Sequence, residues 1–206
     1  MKSEEGPAAA SSQAGWMDGT VIRAARVGDA SQIAVVQVRS WQGAYRGLLP
    51  QAYLDGLDPA QRVGRWERSL AEAEDRRDGV LVADASGTLL GFVGYSPTRD
   101  GDADPARVGE IDAIYLLPSA WGKGVGRLLM DAALARLAEA RFDRATLWVL
   151  DSNVRARRFY EAGGWLADSA RKIDDSRGFP IAQVRYKRSL VPSGTGPVQS
   201  RLSSAA

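Results

Sequence analysis

The segment Pro118-Ser119-Ala120-Trp121-Gly122-Lys123-Gly124-Val125-Gly126-Arg127 holds the densest chemistry in the chain. Glycines at alternate positions let the backbone turn tightly and present several N–H groups in one direction. Placed before a helix, they stand where four amides lack an intrahelical partner, which makes the segment a cradle for phosphate. Two familiar phosphate loops fail on spacing. A Walker A loop would need Gly at 117 and Ser or Thr at 124, where Leu117 and Gly124 stand. A dinucleotide fingerprint would need its third glycine at 127 or 129, occupied by Arg127 and Leu129.

Upstream, Glu110 and Asp112 are two residues apart, a spacing that in a strand points both to one face together with Ile114 and Leu116. Carboxylates matter here because the chain has no cysteine and no histidine. Thiolate nucleophiles, disulfides, CxxC pairs, structural zinc knuckles and histidine-based triads are all excluded, and no metal is expected. Chemistry must run on carboxylates, hydroxyls, Lys and Arg, backbone amides or a cofactor.

The formal charge of +2 over 206 residues gives no reason to expect nucleic acid as a partner. No apolar run approaches the ~20 residues a membrane span needs. The N-terminus carries Glu4 and Glu5 without an apolar stretch, so a cytoplasmic protein with no membrane partner is expected.

The elements that must position these groups follow from periodicity. Residues 1–18 and 191–206 are rich in small and polar residues and read as disordered tails around one domain at 19–190. Within it, Val21–Ala25 reads as a strand and Ala30–Trp41 as a helix. Pro59–Ala73 reads as a second helix burying Val63, Trp66 and Leu70. Val80–Ala83 and Thr88–Tyr95 form a hairpin around Asp84–Gly87. Val108–Leu117 is a strand, and Val125–Ala140 a helix with two apolar stripes, one through Leu128 and one through Leu134, expected to pack on two sides. Ala145–Leu150, a helix at Val154–Ala162, and strands at Trp165–Ile173 and Ile181–Leu190 complete the chain. Three antiparallel strands followed by a β-α-β crossover predict an α+β fold: a mixed, mostly antiparallel sheet of about seven strands flanked by about four helices.

The glycine segment resembles the pyrophosphate loop of the GNAT superfamily of acyl-CoA-dependent N-acetyltransferases, Arg/Gln-x-x-Gly-x-Gly/Ala. Gly124 and Gly126 match, while Trp121 takes the Arg/Gln position. Downstream, Asn153-x-x-Ala156-x-x-Phe159-Tyr160-x-x-x-Gly164-Trp165 resembles the family's NxxAxxFYxxxGF segment, and the strand order resembles the GNAT fold over residues 20–190.

The resemblance implies acetyl-CoA as co-substrate. Its pyrophosphate would lie on the amides of Gly122, Lys123, Gly124, Val125, Gly126 and Arg127, and its pantetheine along the backbone of Ile114, Tyr115 and Leu116. Asn153 would reach the pantetheine or cap the following helix, or both. Arg155 and Arg158, with Arg157 between them, would meet the 3′-phosphate or simply be solvated. Tyr160 would protonate the leaving sulfur, its phenol being protonated at neutral pH. Glu110, Asp112 or a water would take the proton of the amine. Trp41 and Tyr45 would line the acceptor pocket or pack in the core. Asp100, Asp102 and Asp104 would attract a cation or merely form a loop. The acceptor would be a small-molecule or peptide amine, and the resemblance leaves room for a homodimer. A GNAT-like domain that binds acyl-CoA without turnover remains the alternative.

Overall fold

A computed structural model describes residues 19–72 and 77–191; the two segments expected as tails, apart from Val191 at the border of the second, lie outside the described residues. Seven strands form one sheet in the order β1-β2-β3-β4-β5-β7-β6. They are β1 (Thr20–Ala24), β2 (Gly79–Ala85), β3 (Thr88–Pro97), β4 (Val108–Leu116), β5 (Arg144–Leu150), β6 (Leu166–Asp174) and β7 (Ile181–Ser189). Only β4 and β5 pair in parallel, through the crossover helix α4 (Val125–Glu139). The β2–β3 turn places Ser86 at φ 51° and Gly87 at φ 90°, the left-handed pair that matches strand twist in a two-residue hairpin.

Helices cover both faces. On one lie α1 (Ala30–Ala44), a short α2 (Gln51–Asp55) absent from the sequence reading, and α3 (Ala60–Glu72). On the other lie α4 and α5 (Val154–Ala162).

α4 departs from its expected two-sided burial. Val125, Leu129, Met130, Ala133, Leu134 and Leu137 are buried, whereas Leu128 is 37 % exposed. The apolar positions form one wide stripe on the sheet, and the outer face meets solvent. Gly109 makes this approach possible, because a Cβ there would lie 2.6 Å from Leu137. α3 likewise buries none of its residues completely; Trp66 and Leu70 rest against the sheet partly exposed.

The feature that shapes the site lies in the middle of the sheet. β4 pairs with β5 only from Val108–Arg144 to Ile111–Leu147, after which the two strands part. At the same point Tyr95 opposes Ile111 but Gly94 opposes Ala113, so Asp112 is an extra, bulged residue. A bulge reverses side-chain parity, and this overturns one expectation. Glu110 and Asp112 share the face toward α1, but Ile114 and Leu116 turn to the α4 face and join its apolar cluster.

Candidate active site

The parted strands open a cleft of about 660 Å³. Its floor is the glycine loop. β4 ends at Leu116, a 3-10 turn spans Pro118–Ala120, and Gly122 and Gly124 adopt φ of 72° and 81°. Gly124 is the N-cap of α4 and no side chain caps the helix, so first-turn amides are left for a ligand. Arg127 is an exception among the expected amide donors, because its N–H bonds to the Gly124 carbonyl at 3.0 Å. Its side chain still borders the cleft.

Trp121 closes one side of the loop. Its indole Nε1 donates to the Leu116 carbonyl at 3.2 Å, and the Arg155 guanidinium stacks 3.7 Å from its ring centroid. Gly43 of α1 makes room for it, since a Cβ there would sit 2.9 Å from the indole and 3.0 Å from Pro118. Of the other expected cations, Arg157 is engaged by Asp151 at 2.8 Å and by the Tyr186 hydroxyl at 3.1 Å. Arg158 and Lys123 stand outside the cleft lining, and Val125 is buried in the core beneath it.

Asn153 begins α5, its Oδ1 accepting from the Ala156 amide at 3.1 Å, while the residue also lines the cleft. Two turns on, Tyr160 is 8 % exposed and packs against Phe159, Trp165 and Tyr186. Burial, with Tyr115 beside it, raises its pKa well above that of an ordinary phenol, so the hydroxyl keeps its proton.

A second cavity of about 230 Å³ lies on the α1 side of β4. The two cavities share Tyr45, Asp112, Tyr115 and Trp148 in their walls. Trp41 and Tyr45 contact each other edge to face at 5.0 Å, and both face this second cavity while Trp41 also anchors a core cluster. Glu110 is 6 % exposed; it accepts from the Arg99 amide at 3.2 Å and lies 3.8 Å from the Arg99 guanidinium. Asp112 accepts from the Ser96 hydroxyl at 3.0 Å and pairs directly with Arg99. Desolvation raises the pKa of both carboxyls, against the opposing pull of Arg99.

Glu110 lines only the smaller cavity, whereas Asp112 reaches both. The aspartates of the β3–β4 loop have structural partners instead. Arg185 holds Asp100 at 2.9 Å and Asp102 at 2.7 Å, and Asp104 accepts from the Ala106 amide at 2.8 Å.

A family model for the acetyltransferase (GNAT) family matches residues 40–165. The chain belongs to the GNAT acetyltransferase family. An uncharacterized N-acetyltransferase of Archaeoglobus fulgidus is 37% identical to this GNAT chain over 123 residues, 60% of this chain and 80% of that protein. The uncharacterized N-acetyltransferase YuaI of Bacillus subtilis is 33% identical over 168 residues, 81% and 88% of the two chains. Among solved structures, the PaiA N-acetyltransferase of Thermoplasma acidophilum, in complex with coenzyme A, superposes with a TM-score of 0.64. It is 19% identical, over 82% of this chain and 98% of that one. Among the described residues of this GNAT domain, no helix is long and apolar enough to cross a membrane, and no group of candidate metal ligands occurs.

Several wall residues of the GNAT site escape sequence reading. Trp148 of β5, Lys172 of β6, and Arg177 after β6 line the smaller cavity together with Arg99. No local motif announces them. They meet only because β7 inserts between β5 and β6 and the β3–β4 connection folds over that end of the sheet.

Proposed function

We propose that this GNAT acetyltransferase transfers the acetyl group of acetyl-CoA to a primary amine of a small molecule or peptide, by direct attack with both substrates bound. The observation that carries this reading is the meeting of two cavities at Tyr45, Asp112, Tyr115 and Trp148. One is long enough for an extended cofactor and the other suits a small acceptor.

The residues present fit acetyl-CoA. The uncapped start of α4 offers amides to a pyrophosphate, and Arg155, held on the Trp121 indole, brings a cation to the loop from α5. In this chain, where Trp121 stands in place of the usual Arg or Gln, a cation is thereby supplied from another element. Past Ile111, β4 has no β5 partner, so the backbone of Ile114, Tyr115 and Leu116 has main-chain groups for pantetheine amides. The Asn153 oxygen caps α5, and its amide NH2 remains for the cleft. Bound there, acetyl-CoA supplies an activated thioester carbonyl.

The chain's own groups then manage two protons. Asp112, at the junction, takes the proton of the incoming ammonium, with Glu110 and Arg99 behind it sharing the charge. Tyr160 holds a proton for the leaving sulfur, and its buried environment keeps that proton in place at neutral pH. With neither cysteine nor histidine in the sequence, an acyl-cysteine stage and a histidine base are unavailable.

The test is calorimetric titration with acetyl-CoA, then thiol release measured over amines of different classes. Binding followed by acceptor-dependent release is expected. Tight binding without release for any amine would favour a silent acyl-CoA-binding domain.

A further inference from the structure

The walls of the smaller cavity carry information about the acceptor, and the following rests on the acetyltransferase reading. The cavity encloses about 230 Å³, below the ~300–1,000 Å³ typical of sites for drug-sized ligands. It is lined by three carboxylates, Glu110, Asp112 and Asp174, and three cations, Arg99, Lys172 and Arg177. These six charges are not evenly paired.

At the β4 end, Glu110 and Asp112 share a single cation, Arg99, leaving one negative charge in excess. At the β6 end, Arg177 pairs with Asp174 and lies 5.1 Å over the Trp41 ring. Lys172 has no carboxylate within ion-pair distance among the described residues; its ammonium rests 4.1 Å from the Trp148 ring. Among the residues that line the cavity, that end therefore has one positive charge in excess. β5 and β7 separate β4 from β6, so the two ends stand on opposite walls of the cavity. The cavity is thus negative at its β4 wall, by Glu110 and Asp112, and positive at its β6 wall, by Lys172.

A polyamine or another polycation would bring its second charge against Lys172 and Arg177, where the one lining carboxylate, Asp174, is already paired with an arginine. A plain monoamine would leave the lysine unanswered. We propose that the acceptor is a small zwitterion, a molecule carrying both an amine and a carboxylate, such as an amino acid or a very short peptide. Its ammonium faces Glu110 and Asp112, and its carboxylate faces Lys172. Trp148, the ring under Lys172, also lines the cofactor cleft, so it sets the distance between the carboxylate end and the reacting amine.

The experiment compares L-lysine, L-lysinamide and cadaverine, and glycine with glycinamide, in thiol release by the wild type and by Lys172→Gln, Lys172→Glu and Lys172→Arg. Lys172 is exposed on β6, so these variants are expected to fold, which circular dichroism checks. The expected result is kcat/KM for the carboxylate-bearing member at least about five-fold above its amide or decarboxylated counterpart. That ratio should collapse in Lys172→Gln, reverse toward cadaverine in Lys172→Glu, and be retained in Lys172→Arg. Preference for cadaverine or the amides by the wild type, or an unaltered ratio in Lys172→Gln, would overturn the zwitterion assignment while leaving acetyl transfer intact. Acetyl-CoA binding without release for any of the acceptors tested would overturn this inference, and an equally silent wider amine panel the acetyltransferase reading as well.

Discussion

Tyr160 and the Glu110–Asp112 pair are tuned by one agent, loss of water, to opposite ends. Desolvation raises the pKa of each group, which secures the proton on the phenol proposed as donor and makes the carboxylates proposed as base more basic. Tyr160→Phe keeps the packing and removes the donor, so kcat is expected to fall by about 10²-fold or more with little change in KM for acetyl-CoA, read by steady-state kinetics. For the base, activity requires the ionised form. kcat/KM should therefore decline as pH falls through a midpoint above the usual carboxylate range. Asp112→Asn should abolish that acid limb and cost more in kcat than Glu110→Gln, because Asp112 alone of the two reaches the cofactor cleft. Stability moves the other way. A carboxyl whose pKa is raised by folding contributes stability that is present below its unfolded pKa and lost as pH rises through the folded value. Glu110→Gln, whose amide oxygen can still accept from Arg99, is expected to melt at or slightly above the wild-type temperature at neutral pH.

The glycine loop works through three elements that contribute one residue each to a stack: Gly43 from α1, Trp121 from the loop, Arg155 from α5. A side chain at 43 strikes the indole before it strikes anything else. Gly43→Val is expected to displace Trp121, remove the platform under Arg155 and weaken acetyl-CoA binding by roughly ten-fold, a loss comparable to that of Arg155→Met. Isothermal titration of both variants and of the double variant checks this. If the two residues act as one unit, the double variant should be no weaker than either single one, since contacts in a shared stack do not add. The loop's place before α4 was readable from its glycines. The stack was not, because Gly43 looks like an ordinary helix interior residue until tertiary packing brings the indole against it.

Across the whole molecule, charge pairs tie separate elements together. Arg23 of β1 binds Asp29 at 2.7 Å and Asp84 at 2.9 Å, tying the edge strand to the start of α1 and to the hairpin turn. Arg185 gathers the β3–β4 loop onto β6 and β7 through Asp100, Asp102 and Asp168. Asp29 is held below the usual aspartate range by hydrogen bonding to Arg23 and to the Arg26 amide. A depressed pKa gives stability above the unfolded value that is lost as pH falls through the folded one. Asp29→Asn should therefore cost about 2 kcal/mol near neutral pH. The difference from wild type should shrink as pH drops below the aspartate range, as measured by urea unfolding at each pH.

By itself the sequence determined the elements and the chemistry available to them. Alternating and helical periods follow from local backbone geometry, so all seven strands, the crossover helix and the glycine loop could be placed within a residue or two. The missing cysteine and histidine left carboxylates, hydroxyls, Lys and Arg, backbone amides or a cofactor to carry the chemistry. Tertiary structure decided which of those groups meet. The bulge at Asp112 is a mismatch between two strands and leaves no trace in either one, yet it turns Ile114 and Leu116 away from Glu110. The smaller cavity draws Arg99, Trp148, Lys172 and Arg177 from separate stretches of chain, and their charge balance exists only once β7 lies between β5 and β6. Local interactions fix an element from its own residues, whereas a cavity is set by the packing of several.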